Sequence, residues 1–336
     1  MPEGLVLRIM KVVVAVGASA AIVGLTTPSV ASAAQRAYKP PPTAAGIARS
    51  PERSASSLQS VRSAVSCPPL KLFGVRGSGE TKSDYSGYGQ TVWDVEQTVL
   101  DQVPGAKAEE VNYPAIPVVY PSAKHIPSFL QYIATRYHAS EITGIKNLTN
   151  AVSTFISACP ASYVVLAGYS QGAQVVGDTF LSHLTAAQRA RIAGIAMLGD
   201  ADFNGHSSVD IGSYSSGLSG VWAFDHSRRH VANALSNKVA SYCTQGDPIC
   251  NFGVGNVLAC HDNGSLCPHV HYMDLYWRQH TYVVDAGDFL VARYHSLVPP
   301  VVIGPKKNVL LYGDNDPTDN DLSGMSNLAS RPPGTR

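Results

Sequence analysis

Between residues 67 and 299, short apolar runs alternate with longer stretches whose apolar residues recur every three or four positions. The runs Leu70–Val75, Ala108–Tyr113, Tyr163–Ala167, Ile192–Leu198 and Val239–Tyr242 predict strands. The stretches Val92–Val103, Ser122–Tyr137, Glu141–Ala158, Ala173–Leu184 and Asp285–Tyr294 predict helices. Strands that alternate with helices imply an α/β fold, a mostly parallel sheet with helices on both faces. In such sheets ligands bind beyond the carboxyl ends of the strands. The turns after Val75, Ala167, Leu198 and Tyr242 are therefore expected to gather at one edge.

The two ends of the chain break this pattern. Arg8 and Lys11 precede or open an apolar stretch from Val12 to Leu25, and Ala31-Ser32-Ala33 supplies small residues for cleavage. Residues 1–33 read as a signal peptide. Their apolar run falls short of the roughly 20 residues that a membrane span needs. Export without stable membrane insertion is expected, to a secreted, extracellular or cell-wall-associated location. Residues 34–66, rich in Ala, Pro, Ser and Arg, read as a linker, and residues 300–336 as a disordered tail. That leaves one domain over 67–299.

Composition narrows the partners. Of 336 residues, 45% are hydrophobic and 15% charged, an ordinary globular balance. With 25 basic and 24 acidic residues, the formal charge of +1 gives no reason to expect nucleic acid. A neutral or apolar substrate suits such a chain, and it is expected to act as a monomer.

Six cysteines, Cys67, Cys159, Cys243, Cys250, Cys260 and Cys267, favour disulfides in an exported chain. Six cysteines allow fifteen pairings. The close pairs Cys243/Cys250 and Cys260/Cys267 look like local staples, which leaves Cys67 with Cys159. No C-x-x-C spacing supports a zinc site instead.

Gly168-Tyr169-Ser170-Gln171-Gly172 matches G-x-S-x-G between an expected strand and an expected helix, the setting this motif requires. The turn is sharp, and the two glycines leave room for it. Ser170 then stands at a helix N-terminus, where backbone N–H groups favour a developing negative charge. Ser170 is the expected nucleophile. A hydroxyl needs a base, and the base needs an orienting carboxylate, here in the chain order Ser, Asp, His. Asp247 lies in the loop between Cys243 and Cys250, which a disulfide would hold rigid; Asp200 and Asp202 are rivals in the right order. His261, His269, His271 and His280 all follow. His280 is the expected base, because the closing helix just after it would fix its rotamer. His261 is nearer to Asp247 but sits inside the Cys260/Cys267 staple. His269 and His271 would point the same way on an extended stretch, and with His261 and Asp262 they offer the alternative of a metal site. The expectation is nonetheless that no metal or cofactor is used. The turn Arg76-Gly77-Ser78-Gly79-Glu80 can aim N–H groups at an acyl oxygen, with the Gln171 N–H as the second donor and an Arg76–Glu80 ion pair holding the turn.

Three segments resemble the cutinase family, which includes acetylxylan esterases and actinobacterial cutinase-like proteins. They are Cys67-Pro68 leading to Arg76–Glu80, Gly168–Ala173, and Cys243 through Gly246-Asp247-Pro248 to Cys250. The resemblance spans roughly residues 67–297 and implies a small α/β-hydrolase with little or no lid over its site. It implies Ser170 as nucleophile, Asp247 as acid, Ser78 and Gln171 as the oxyanion hole, and the disulfides Cys67–Cys159 and Cys243–Cys250. His280-Thr281-Tyr282 fits the family's histidine with a tyrosine two positions on. One departure stands out: 32 residues lie between Asp247 and His280, and they contain the extra pair Cys260/Cys267. The function so implied is a secreted serine carboxylic-ester hydrolase acting on a lipid, polyester or acylated polymer. A carbohydrate deacetylase, a phospholipase, and an inactive surface-binding module are the alternatives.

Overall fold

In the computed structural model of this chain, residues 66–118, 131–222, 229–262 and 266–298 are described. The expected signal peptide, linker and tail fall outside them, as do residues 122–130 of one expected helix. Each core strand forms where its apolar run predicts: β1 (Leu70–Val75), β3 (Tyr163–Tyr169), β4 (Ile192–Leu198) and β6 (Val239–Tyr242). At the edges lie β2 (Lys107–Glu110) and the short β5 (Asp210–Ile211). The order is β2-β1-β3-β4-β6-β5, and every pairing is parallel.

Alternation along the strands sorts the core into two layers. Leu70 and Leu72 of β1, with Val165 and Ala167 of β3, face α1 (Gln90–Gln102) and α6 (Tyr282–Leu297). Phe73 and Val75, with Val164 and Leu166, face α2 (His138–Ala158) and α3 (Gln171–Asp178). On β4 the alternation slips by one residue at Gly194, where the register against β3 shifts from Val164↔Ile192 to Val165↔Gly194. A bulge of this kind lets one strand carry an extra residue without losing the rest of its ladder.

Further elements flank the sheet and these four helices. Helix α4 (Ala186–Arg191) opens on a capping box, in which Thr185 and Gln188 satisfy each other's backbone N–H groups. Helix α5 (Val254–Asp262) precedes a 3-10 turn at Pro268–Val270. An antiparallel hairpin, β7 (Tyr276–Trp277) and β8 (His280–Thr281), leads into α6. All three expected disulfides are present: Cys67–Cys159, Cys243–Cys250 and Cys260–Cys267. Among the described residues no helix is long and apolar enough to cross a membrane.

The strand order reverses between β1 and β3. The chain leaves β1 toward one sheet face and β3 toward the other, which opens a crevice at their carboxyl ends. The Arg76–Glu80 turn and Ser170 both lie at that crevice.

Candidate active site

Ser170 links β3 to α3 with φ 54° and ψ −120°, a conformation that L residues rarely adopt. The motif's glycines make the turn possible. A Cβ on Gly168 would lie 2.3 Å from the Gly172 carbonyl oxygen, and one on Gly172 would lie 2.1 Å from the Val75 carbonyl oxygen. The second contact is what lets α3 start against the end of β1. The Ser170 N–H donates to the Leu198 carbonyl (2.8 Å), and its carbonyl accepts from Ala173 N–H (2.9 Å). The backbone is fixed while Oγ stays available.

Ser170 Oγ lies 2.9 Å from Nε2 of His269, and Nδ1 of His269 lies 2.9 Å from Oδ2 of Asp247. An ionised carboxylate only accepts, so Nδ1 carries the proton and Nε2 is free to accept from the serine hydroxyl. The series runs inward from the surface: His269's side chain is 12% exposed and Asp247's 0%. Asp247 Oδ1 accepts from Ile249 N–H (2.7 Å) and Cys250 N–H (3.4 Å), both inside the loop closed by Cys243–Cys250. Burial alone would raise its carboxyl. The neighbouring His269, the Tyr272 hydroxyl and the Ile249 N–H outweigh that and hold it below the ordinary value.

His280 does not take the place expected of it. It lies exposed on β8, paired across the hairpin with Trp277. Tyr282, the tyrosine that singled out His280, is buried at the start of α6, with its hydroxyl near Cys243 O and Ser213 N. The hairpin therefore serves to seat that tyrosine and leaves its histidine in solvent. His269 arrives because the segment from Cys267 folds into a 3-10 turn rather than an extended run. Tyr169, the second residue of the motif, donates its hydroxyl to the His269 carbonyl (2.6 Å), and the two rings lie 5.1 Å apart. His271 turns aside to Asp274 (3.2 Å). Among the described residues no cluster of three or more His, Cys, Asp or Glu is placed to hold a metal. The rival acids are engaged elsewhere: Asp200 and Asp202 pair with Arg229 at 2.6 and 3.2 Å.

The Arg76–Glu80 turn is held differently from the expected ion pair. Arg76 Nε donates to the Glu80 carbonyl (2.9 Å), and its Nη2 donates to the Tyr113 carbonyl. The Glu80 carboxylate instead accepts from Gly77 N–H (2.6 Å). Gly79 N–H donates to Ala115 O (2.8 Å). The turn is thus tied down on both sides of Ser78. Across the crevice, Gln171 is the first residue of α3, where a helix leaves its N–H without an intrahelical acceptor. Its side chain is locked from Ser140 Oγ (3.2 Å) and to the Tyr137 carbonyl (3.2 Å).

Tyr272 was not foreseen. It is fully buried, and its hydroxyl donates to Asp247 Oδ2 at 2.7 Å. The available signal was the run Pro268-His269-Val270-His271-Tyr272, whose histidine and tyrosine stand three apart, on one side of a tight turn.

A family model described as Cutinase matches residues 66–293. Acetylxylan esterase 2 of Talaromyces purpureogenus is 30% identical over 201 residues, covering 57% of this chain and 80% of its own. Probable carboxylesterase Culp3 of Mycobacterium tuberculosis is 26% identical over 239 residues, covering 68% of this chain and 71% of its own. A solved acetylxylan esterase structure superposes with a TM-score of 0.49 at 24% identity, over 68% of this chain and 100% of that one. The family match takes in well over half of the chain, with Ser78, Ser170, Asp247 and His269 all inside it. The chain belongs to the cutinase family of carboxylic ester hydrolases, on an α/β-hydrolase fold.

Proposed function

We propose that this protein is a secreted serine esterase in which Ser170, His269 and Asp247 form the catalytic triad and the N–H groups of Ser78 and Gln171 form the oxyanion hole. The observation that carries this reading is the unbroken hydrogen-bond series from Ser170 Oγ through His269 to the buried Asp247. His269 Nε2 takes the Ser170 proton as Oγ attacks the ester carbonyl carbon. The carbonyl oxygen becomes an anion between the two N–H donors. His269, now an imidazolium held by Asp247, gives its proton to the leaving alcohol. Water then enters, loses a proton to Nε2 and attacks the acyl-enzyme. The carboxylic acid departs and Ser170 regains its proton.

Three disulfides support folding in an oxidising compartment, in keeping with export. For the substrate, the 30% identity to a protein named an acetylxylan esterase favours acetylated carbohydrate as a second reading beside lipid or polyester. A p-nitrophenyl ester series from acetate to palmitate, set against acetylated xylan, separates the two.

Ser170→Ala and His269→Ala should each remove at least about 1000-fold from kcat toward p-nitrophenyl butyrate with the fold intact. His280→Ala should retain near-wild-type rates. Activity that survives in Ser170→Ala, or is lost only in His280→Ala, would sink the assignment. Failure of the wild type to react with a serine-directed phosphonate would favour a binding module without turnover.

A further inference from the structure

We infer that Tyr272 is a positioning residue for the acid of this site: its hydroxyl fixes the rotamer of Asp247 and shares that carboxylate's charge with His269. The inference rests on the triad reading given above and deepens it. Asp247 Oδ2 receives two donors at once, the Tyr272 hydroxyl at 2.7 Å and His269 Nδ1 at 2.9 Å. Oδ1 is held by Ile249 and Cys250 N–H. Without Tyr272, the oxygen facing the histidine would have the histidine as its one side-chain donor among the described residues.

The tyrosine is itself held on several sides. Thr244 N–H donates to its hydroxyl (3.3 Å), and Cys250 Sγ lies 3.2 Å from that oxygen. Its ring meets Tyr282 edge-on at 5.4 Å and Tyr169 at 6.0 Å. Tyr169 is the residue that grips the His269 backbone. One short segment, 267–272, thus delivers the base and a clamp on the acid together. Cys267, at its start, is tied to α5 through Cys260. Burial and the adjacent carboxylate push the Tyr272 hydroxyl well above its ordinary value, so it stays a donor wherever the enzyme would work.

A hydrogen bond to a buried charge is strong, and removing it leaves more of that charge on the imidazolium. Without it the Asp247 carboxylate is free to rotate and misalign His269, so Tyr272→Phe should lower kcat about 10- to 100-fold with KM nearly unchanged. The acid limb of its kcat/KM profile should move to higher pH, because the unshared carboxylate holds the proton on His269 more tightly. A tyrosine that only packs would leave that limb in place. The second measurement is a double-mutant cycle with Asp247→Asn, read as kcat on p-nitrophenyl butyrate at a temperature where circular dichroism finds all four proteins folded. If Tyr272 acts through the Asp247 charge, Tyr272→Phe costs little further in the Asn background. An equal cost in both backgrounds, or a Tyr272→Phe enzyme with wild-type kcat and pH profile, overturns the inference. Ser170→Ala and His269→Ala run alongside. If they remain active, the triad reading fails; if they are dead while Tyr272→Phe behaves as wild type, this inference alone fails.

Discussion

Burial acts on two carboxylates of this chain with opposite outcomes. Asp247 has no exposed surface, yet its partners hold its carboxyl below the ordinary value. The stability it contributes is present above the ordinary carboxylate range and is lost as pH falls through its folded value. Glu96 on α1 is 5% exposed, and its Oε2 lacks a hydrogen-bond partner. Burial pushes its carboxyl up to about 7, against a small opposing hydrogen bond from Gln97. Below about 4.5 it is protonated in both folded and unfolded chains. As pH rises toward 7 the unfolded chain ionises first, so stability falls across that interval and then levels off. Glu96→Gln should remove the loss. Thermal melts should find the variant close to wild type at pH 4 and more stable by about 1–2 kcal/mol at pH 8. A constant difference at both pH values would mean that Glu96 titrates normally. At this scale the strand–helix turn that holds Ser170 and Gln171 and the stapled loop that holds Asp247 were legible in the sequence, because each constrains residues close together along the chain. The position of His269 beside Ser170 and Asp247 was not, since it depends on Tyr169, a hundred residues away, gripping its carbonyl.

The loop after β4 owes its shape to one arginine. Arg229 is buried and reaches Asp178 on α3 (2.8 Å), Asp200 (2.6 Å) and Asp202 (3.2 Å). Its N–H also donates to the Asp202 carbonyl (2.7 Å). Gly177 is what admits it, since a Cβ there would lie 2.3 Å from the guanidinium carbon. Asp202 feels burial first and Arg229 second, and its carboxyl rises despite the pairing. The cluster also touches the site's framework: Gln174 on α3 donates to Asp202 (3.4 Å) and accepts from the Tyr137 hydroxyl (2.6 Å). Removing one partner of a buried ion cluster strands the others. Arg229→Ala should cost about 3–5 kcal/mol in urea unfolding at pH 8. The cost should shrink at pH 4, where the raised Asp202 carboxyl is protonated; a loss that does not depend on pH would assign Arg229 to packing instead. Nothing near Arg229 in sequence announces this, because its three partners come from α3 and the β4 loop. Elements followed the same logic. The core strands were visible as apolar runs, and β4 fell where expected. Helix α4, with its Thr185–Gln188 box, and the two-residue β5 carry too few apolar positions to register as periodic. The Ala108–Tyr113 run yields a strand only over Lys107–Glu110, although Val111 N–H still reaches Gly74 O (2.9 Å).

Across the molecule, two of the disulfides do different work because of where they lie along the sheet. Cys67–Cys159 closes a separation of 92 residues at the amino ends of β1 and β3, opposite the edge that carries Ser170. Its neighbourhood is already fastened by Ser162 Oγ to Pro68 O (2.6 Å) and Tyr163 N–H to Pro69 O (3.1 Å). It therefore stabilises chiefly by restricting the unfolded chain, by roughly 4–5 kcal/mol for a loop of that length in the chain-entropy model. Cys243–Cys250 closes a separation of 7 residues, for which the same model gives roughly 2–3 kcal/mol. That short loop, however, supplies the Ile249 and Cys250 N–H groups that hold Asp247. Paired serine variants should thus separate stability from catalysis. Cys67→Ser with Cys159→Ser should lower Tm by about 8–20 °C while kcat/KM at 25 °C stays within about twofold of wild type. Cys243→Ser with Cys250→Ser should lower Tm less but reduce kcat by tenfold or more, about the worth of a charge-assisted hydrogen bond. Equal losses of kcat in the two variants would mean that the sheet transmits strain from one end to the other. In that case the Asp247 loop would not be the local holder of the acid that its hydrogen bonds make it.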